Sequence, residues 1–301
     1  MTAFRLATAA LATIAALAAG AAQGQVPPDI AAKLRAMGPK IDFGVGALYA
    51  PLQPKEPYAG VTVVRDIAYG PDALQKVDVF SPTAGGKPRP VLLFVHGGGF
   101  VRGDKKQTDN MLVWGVDHGM VGVDLDYRLA PKDRWPAGAQ DLASAIAWTK
   151  ANIARYGGDA NRIFLWGHSA GANHVADYVA HPELQGPNSP GVAGAVLMSG
   201  IYDPMTAPNA YYGDDPATVA GLASKPGLLK TRVPLMVINA ELDPPVMLAS
   251  GKALNDDLCK AGRCPAYLLA KDHDHLSEGM AVGTADVSVS GPVLEFIQTT
   301  P

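Results

Sequence analysis

The architecture is written most plainly in Ile163-Phe164-Leu165-Trp166-Gly167-His168-Ser169-Ala170-Gly171. Four apolar residues, too few for a helix, read as a buried strand, and a helical pattern over Ala172–Ala180 follows at once. Between them stands Gly-x-Ser-x-Gly. A strand that turns into a helix within five residues strains the serine backbone, and only small neighbours let the turn close with the hydroxyl standing clear. The helix that starts there aims free N–H groups, that of Ala170 among them, at negative charge developing beside the serine. Alone, the match is weak, because an ordinary glycine-rich turn reads the same way.

Outward from this stretch, short apolar runs alternate with helical ones. Val61–Val64, Val77–Phe80, Val91–Val95, Met120–Leu125, Val192–Met198, Leu235–Asn239 and Tyr267–Leu269 join Ile163–Trp166 as strands. Ala139–Arg155, Ala172–Ala180 and Pro245–Leu258 read as helices. Such alternation implies an α/β fold with a mostly parallel sheet covered by helices on both faces. The first two runs are more polar and are separated by Pro71-Asp72, which suits an antiparallel edge. No internal repeat is visible.

Open α/β sheets bind ligands beyond the carboxyl ends of their strands. Directly after Val91–Val95 comes His96-Gly97-Gly98-Gly99-Phe100, where consecutive glycines let several backbone N–H groups converge. With no Gly-Lys-Ser/Thr following, a phosphate loop is excluded, and beside a nucleophilic serine the loop makes an oxyanion hole from Gly98, Gly99 and Ala170. Glu241-Leu242-Asp243-Pro244 follows another strand, and Asp272-His273-Asp274-His275-Leu276-Ser277 follows the last. A serine hydroxyl needs an imidazole to take its proton, and the imidazole needs a carboxylate to orient it. Ser169, Asp243 and His275 supply these in the order Ser, acid, His. Glu241 and His273 are the competing acid and base. Asp272, His273 and Asp274 together could also be taken for a metal cluster, but they read better as a solvated loop, and no metal or organic cofactor is expected.

With these four sites in place, the chain resembles the α/β-hydrolases of the HGGG esterase group, hormone-sensitive-lipase-like and BD-FAE-type carboxylesterases. Asp126-Tyr127-Arg128-Leu129-Ala130-Pro131, Trp135-Pro136-Ala137 leading into Asp141, and Gly157-Gly158-Asp159-Ala160-Asn161-Arg162 carry the likeness further, from about Asp66 to about Pro292. The family pattern favours His275, ahead of a bulky residue and a serine, and Asp243, ahead of proline. The resemblance implies serine-dependent hydrolysis of carboxylic esters with short acyl chains: Ser169 the nucleophile, His275 the base, Asp243 its partner. Formamide or peptide-like amide cleavage is the rival activity on the same triad, and a non-catalytic binding module is disfavoured by the filled positions. A histidine base predicts activity falling as pH drops through roughly 6 to 7. His168 and His174 read as local packing residues, Tyr127 and Arg128 as buttresses of the glycine loop, and Asp141 as a pairing or capping residue. Tyr211-Tyr212 either lines the substrate pocket or pins down a surface loop.

The 301 residues, 48% hydrophobic and 18% charged, suit one sizeable domain. A net charge of −3 without a basic run excludes a nucleic-acid footprint. Residues 1–22, with Arg5, the Ala/Leu run from Leu6 to Ala19 and small residues after it, read as a secretory signal cleaved after Ala22. That run is too short and too alanine-rich for a membrane span, so no lasting membrane anchor is expected. Residues 23–60 are a proline-rich arm or small cap, and 61–301 the catalytic domain. Export to the periplasm or beyond would let Cys259 and Cys264 bridge across Gly262, a short loop worth about 2 kcal/mol. A small-molecule ester is the expected partner.

Overall fold

A computed structural model describes residues 25–186, 190–203 and 209–301. The leader read in residues 1–22 lies outside them. Among the described residues no helix is long and apolar enough to cross a membrane.

One eight-stranded sheet organises the chain: β1 Val61–Ala68, β2 Lys76–Pro82, β3 Arg89–Val95, β4 Val121–Leu125, β5 Gly158–His168, β6 Gly194–Met198, β7 Leu235–Leu242 and β8 Ala266–Asp274, in the order β1-β2-β4-β3-β5-β6-β7-β8. The eight apolar runs of the sequence are these eight strands. β1 and β2 pair antiparallel, as does β2 with β4, and the other neighbours are parallel. Burial explains why the two ends read differently. Every residue of β4 and β6 is buried, the signature of strands covered on both faces, whereas β1 alternates along its length as an edge strand does.

The helices are α1 Pro28–Met37, α2 Val45–Tyr49, α3 Asp109–Asp117, α4 Ala137–Asn152, α5 Ala170–Ala180, α6 Pro216–Gly221, α7 Lys225–Leu228, α8 Pro245–Lys260, α9 Ser277–Met280 and α10 Ser290–Thr299. One face of the sheet is covered by a core that joins Leu93 and Leu165 to Leu142 and Ile146 of α4, Val175 of α5 and Leu254 of α8. The other joins Phe94, Trp166 and Ile238 to Met111 and Trp114 of α3 and Val293 and Ile297 of α10. Two fully buried apolar layers on one sheet account for a domain of this size.

The arm docks on the domain through a small core of its own. Ile30, Ala31 and Leu34 of α1 with Val45 and Tyr49 of α2 pack against Leu242, Leu276, Met280 and Ala281, at the end of the sheet where the chemistry-bearing residues cluster. Arg35 of α1 pairs with Asp272. At the far end of α8 the sulfur atoms of Cys259 and Cys264 are joined at 2.13 Å.

One reading of the sequence is corrected. Asp272, His273 and Asp274 are not a solvated loop: β8 continues through Asp274, which pairs with Leu242, and His273 and Asp274 are fully buried. His273 lies within reach of Ser277, Ser288 and Asp286, so polar neighbours replace the water the sequence reading assumed.

Candidate active site

Parallel register builds the site. Val95 aligns with Gly167, His168 with Met198, Met198 with Ile238, and Leu242 with Asp274. The residues just past these strand ends, His96, Ser169, Ser199, Asp243 and His275, are therefore delivered to one edge of the sheet. Ser169 takes φ 54° and ψ −121°, left-handed backbone that a serine adopts only under constraint. The glycines permit it: a β-carbon on Gly171 would lie 2.0 Å from the Val95 carbonyl oxygen, and one on Gly167 would lie 2.4 Å from that of Gly171.

Three side chains are linked in series. His275 Nε2 is 2.9 Å from Ser169 Oγ, and His275 Nδ1 is 2.9 Å from Asp243 Oδ1. The other oxygen of Asp243 accepts from Ser199 Oγ at 2.6 Å, the Ala240 N–H at 3.0 Å and Asn239 Nδ2 at 3.2 Å. All three are buried, and Ser169, at 8% exposed, is the most open of them. The competing residues go elsewhere: His273 is turned into the polar cluster below β8, and Glu241 accepts from the Asp272 N–H.

The glycine loop stands over the serine. A β-carbon on Gly97 would meet Ser169 Cβ at 3.0 Å. Gly98 and Gly99 have φ of 125° and 61°, the conformations that let N–H groups turn inward together. Among the described residues, no group accepts a hydrogen bond from the N–H of Gly98, Gly99 or Ala170, and all three residues line the same cavity as Ser169 and His275. Tyr127 buttresses the loop by donating to the His96 carbonyl at 2.8 Å and stacking on its ring. Arg128 makes a bidentate pair with the buried Asp141, which also accepts from Gln75.

The cavity measures about 1030 Å³. Ile41 and Phe43 of the arm, Val246 and Met247 of α8, and Leu276 and Met280 form its apolar lips, and Asp203, paired with Lys225 at 2.5 Å, adds charge to the rim. Tyr211 and Tyr212 do not line it. Both are buried against Phe100, and Tyr212 donates to Asp177, so they pin the insertion onto the glycine loop.

His174 is buried and His168 mostly so, with 13% of its side chain exposed, and desolvation holds both imidazoles down, to about 3. For His168 the adjacent His275 adds to the effect, and its Nε2 sits 2.7 Å from the His275 carbonyl oxygen. Two residues escaped the sequence reading. Ser199 follows β6 as Ser169 follows β5, and that position was a usable signal; Glu278, three residues past His275, gave none.

A serine elbow, a glycine loop and an acid–histidine pair at the carboxyl edge of a mostly parallel eight-stranded sheet define an α/β-hydrolase. Within that class, residues 77–185 match the BD-FAE family model. Esterase LipQ of Mycobacterium tuberculosis is 29% identical over 274 residues, 81% of this chain and 63% of its own. Esterase LipC of the same organism is 42% identical over 114 residues, 36% of this chain and 28% of its own. The chain thus spans less than two thirds of either relative. Among solved structures, a bacterial heroin esterase superposes with a TM-score of 0.71 at 25% identity, covering 90% of this chain and 96% of its own.

Proposed function

We propose that this protein is a serine carboxylesterase. The observation that carries the proposal is the unbroken series Ser169–His275–Asp243, with both links at 2.9 Å, beneath three unpartnered N–H groups. His275 Nε2 takes the Ser169 proton as Oγ attacks the ester carbonyl, and Asp243 stabilises the imidazolium that results. Gly98, Gly99 and Ala170 receive the oxyanion of the tetrahedral intermediate. His275 then gives its proton to the leaving alkoxide, and water, activated by the same imidazole, clears the acyl-enzyme. Protein groups serve each step without a cofactor.

Short acyl chains are the preferred substrates in this reading, with the larger part of the ester lying between Phe43, Val246 and Met280. The relatives named esterase support the reaction class, and the amphiphilic lips support an uncharged organic ester. The leader in residues 1–22 and the Cys259–Cys264 bridge support export to an oxidising compartment, where no nucleic-acid or lasting membrane partner is needed. Replacing Ser169 by Ala should remove turnover of p-nitrophenyl acetate by at least about 10³-fold with the fold intact by circular dichroism. Retained turnover would overturn the proposal. Faster cleavage of formamides or peptides than of acetate esters would redirect it to amides.

A further inference from the structure

Lys105 is a buried cation for which the proposed reaction has no use. It is 2% exposed, a burial that lysine tolerates only when paired. Three carboxylates share its ammonium: Asp66 Oδ1 of β1 at 2.6 Å, Asp78 Oδ1 of β2 at 3.3 Å and Asp126 Oδ2 at 3.3 Å. Asp126 differs from the other two. It directly follows β4, and its Oδ1 also accepts the backbone N–H of Lys105 at 2.8 Å, so one carboxylate holds both the side chain and the main chain of that residue.

The residue held in this way closes the glycine loop. The chain leaves β3 at His96, presents the N–H groups of Gly98 and Gly99, and doubles back until Gly103 stands against His96. A β-carbon on Gly103 would lie 2.4 Å from His96 Nδ1 and 2.5 Å from the Gly97 carbonyl oxygen. Inside the loop, the Val101 and Arg102 N–H groups reach the Gly98 carbonyl at 3.3 and 3.2 Å. From outside, the segment after β4 meets the loop at three points. Tyr127 donates to the His96 carbonyl at its start, the Ala130 N–H donates to the Phe100 carbonyl at 2.9 Å in its middle, and Asp126 takes Lys105 at its end. Asp126 Oδ1 lies 3.6 Å from His96 Nε2, beyond hydrogen-bond reach, which leaves the near end to Tyr127.

We propose that Lys105 and Asp126 are positioning residues for the oxyanion hole: their double contact clamps the far end of the glycine loop and so sets the Gly98 and Gly99 N–H groups over Ser169 before an ester arrives. The inference rests on the esterase reading for its kinetic consequence, whereas the clamp itself does not. Donors fixed in advance need no reorganisation as charge develops on the carbonyl oxygen, but a loop released at one end must be ordered in every transition state. Loosening the clamp therefore falls on kcat rather than on ground-state binding, and it leaves the proton chemistry of His275 alone.

The test combines kinetics with hydrogen exchange on the full chain. With p-nitrophenyl acetate, Asp126→Asn, which can keep the N–H bond but not the ammonium, should lower kcat about tenfold with KM within about twofold. Lys105→Met should act in the same direction and more strongly; should it fail to fold, Asp126→Asn carries the test, because Asp66 and Asp78 still balance the ammonium. Affinity for a trifluoromethyl ketone, whose hemiketal oxyanion occupies the hole, should fall by the same factor as kcat/KM, and the acid limb of the kcat/KM profile should stay in place. Asp66→Asn is the control. It takes a carboxylate from the same ammonium without touching the loop, asparagine suits the φ of 59° there, and kcat should stay within about twofold of wild type. Exchange should quicken at the Val101, Arg102 and Lys105 amides in Asp126→Asn and not in Asp66→Asn. An unchanged kcat in Asp126→Asn, an acid limb that moves, inhibitor affinity that holds while kcat falls, or an equal loss in Asp66→Asn would each overturn the inference. A wild type inactive on esters would instead refute the esterase reading, while the exchange rates would still report whether Asp126 clamps the loop.

Discussion

At the scale of single residues, the site depends on backbone that only constraint can hold. Ser169 and Ser199 both occupy left-handed backbone, with φ of 54° and 53°, at the ends of adjacent strands. One hydroxyl faces the cavity, and the other faces the back of Asp243. Gly171 is what lets the first be so placed. A methyl group there would collide with the Val95 carbonyl, a rigid backbone atom of the neighbouring strand, so no side-chain movement relieves it. Gly171→Ala should therefore cost more than about 3 kcal/mol, or prevent folding, as overpacking against fixed backbone does. Gly46→Ala is the matched control: it lies in α2, its nearest neighbour would be Met280 Cε at 3.8 Å, and its stability should stay within about 1 kcal/mol of wild type. Urea denaturation of the two variants measures the contrast, and equal stabilities would show that the elbow is not sterically fixed.

At the scale of elements, legibility followed the apolar content of each segment. All eight strands could be read because strands are short apolar runs, and the antiparallel edge could be read because its two runs are more polar and are separated by Pro71-Asp72. Helices α3 and α10 are among those passed over. Helix α3 is buried along most of its length, so Met111 to Val116 show no polar stripe to betray a helical period. Helix α10 opens with Ser290-Gly291-Pro292, a sequence that signals a turn, yet proline is tolerated in a first helical turn, where its missing N–H has no partner to lose. The polar end of β8 was misread for the opposite reason: Asp272-His273-Asp274 looks solvated, but Ser277, Ser288 and Asp286 surround His273 inside the fold. Glu278 was invisible because a glutamate in the first turn of a helix ordinarily marks an exposed start. Motif spacing carried the triad positions, whereas the support behind them is tertiary.

At the scale of the whole molecule, buried titratable groups set how the fold responds to acid. His168 and His174 are held down to about 3 by burial, against about 6.5 in an unfolded chain. Between those values the unfolded state binds more protons than the folded one, so stability is retained above about pH 6.5 and is lost as pH falls from there toward 3. Asp177 acts in the opposite sense. Burial raises its carboxyl to about 6, against the hydroxyls of Ser224 and Tyr212 that lower it, so the folded state takes up its proton first and gains stability on acidification. Burial raises the carboxyls of Asp124 and Glu278 as well, so the two histidines are opposed by three carboxyls. His174 is the separable part, since it sits among Phe100, Tyr127 and Tyr211 with neither ring nitrogen hydrogen-bonded among the described residues. Relative to wild type, His174→Met should therefore gain about 1.4 kcal/mol of unfolding free energy per pH unit as pH falls from 6 to 4, the slope one proton carries. Parallel curves for variant and wild type would mean that His174 does not govern the response.

The claim on which the functional account turns is that Ser169 is the nucleophile, activated by His275 beneath the glycine loop. Treatment with a fluorophosphonate ester, followed by intact-mass measurement and peptide mapping, tests it directly. One adduct per chain on the peptide containing Ser169, absent from Ser169→Ala, is the result the geometry predicts. An adduct on any other residue, or no adduct on a chain that still cleaves esters, would contradict it.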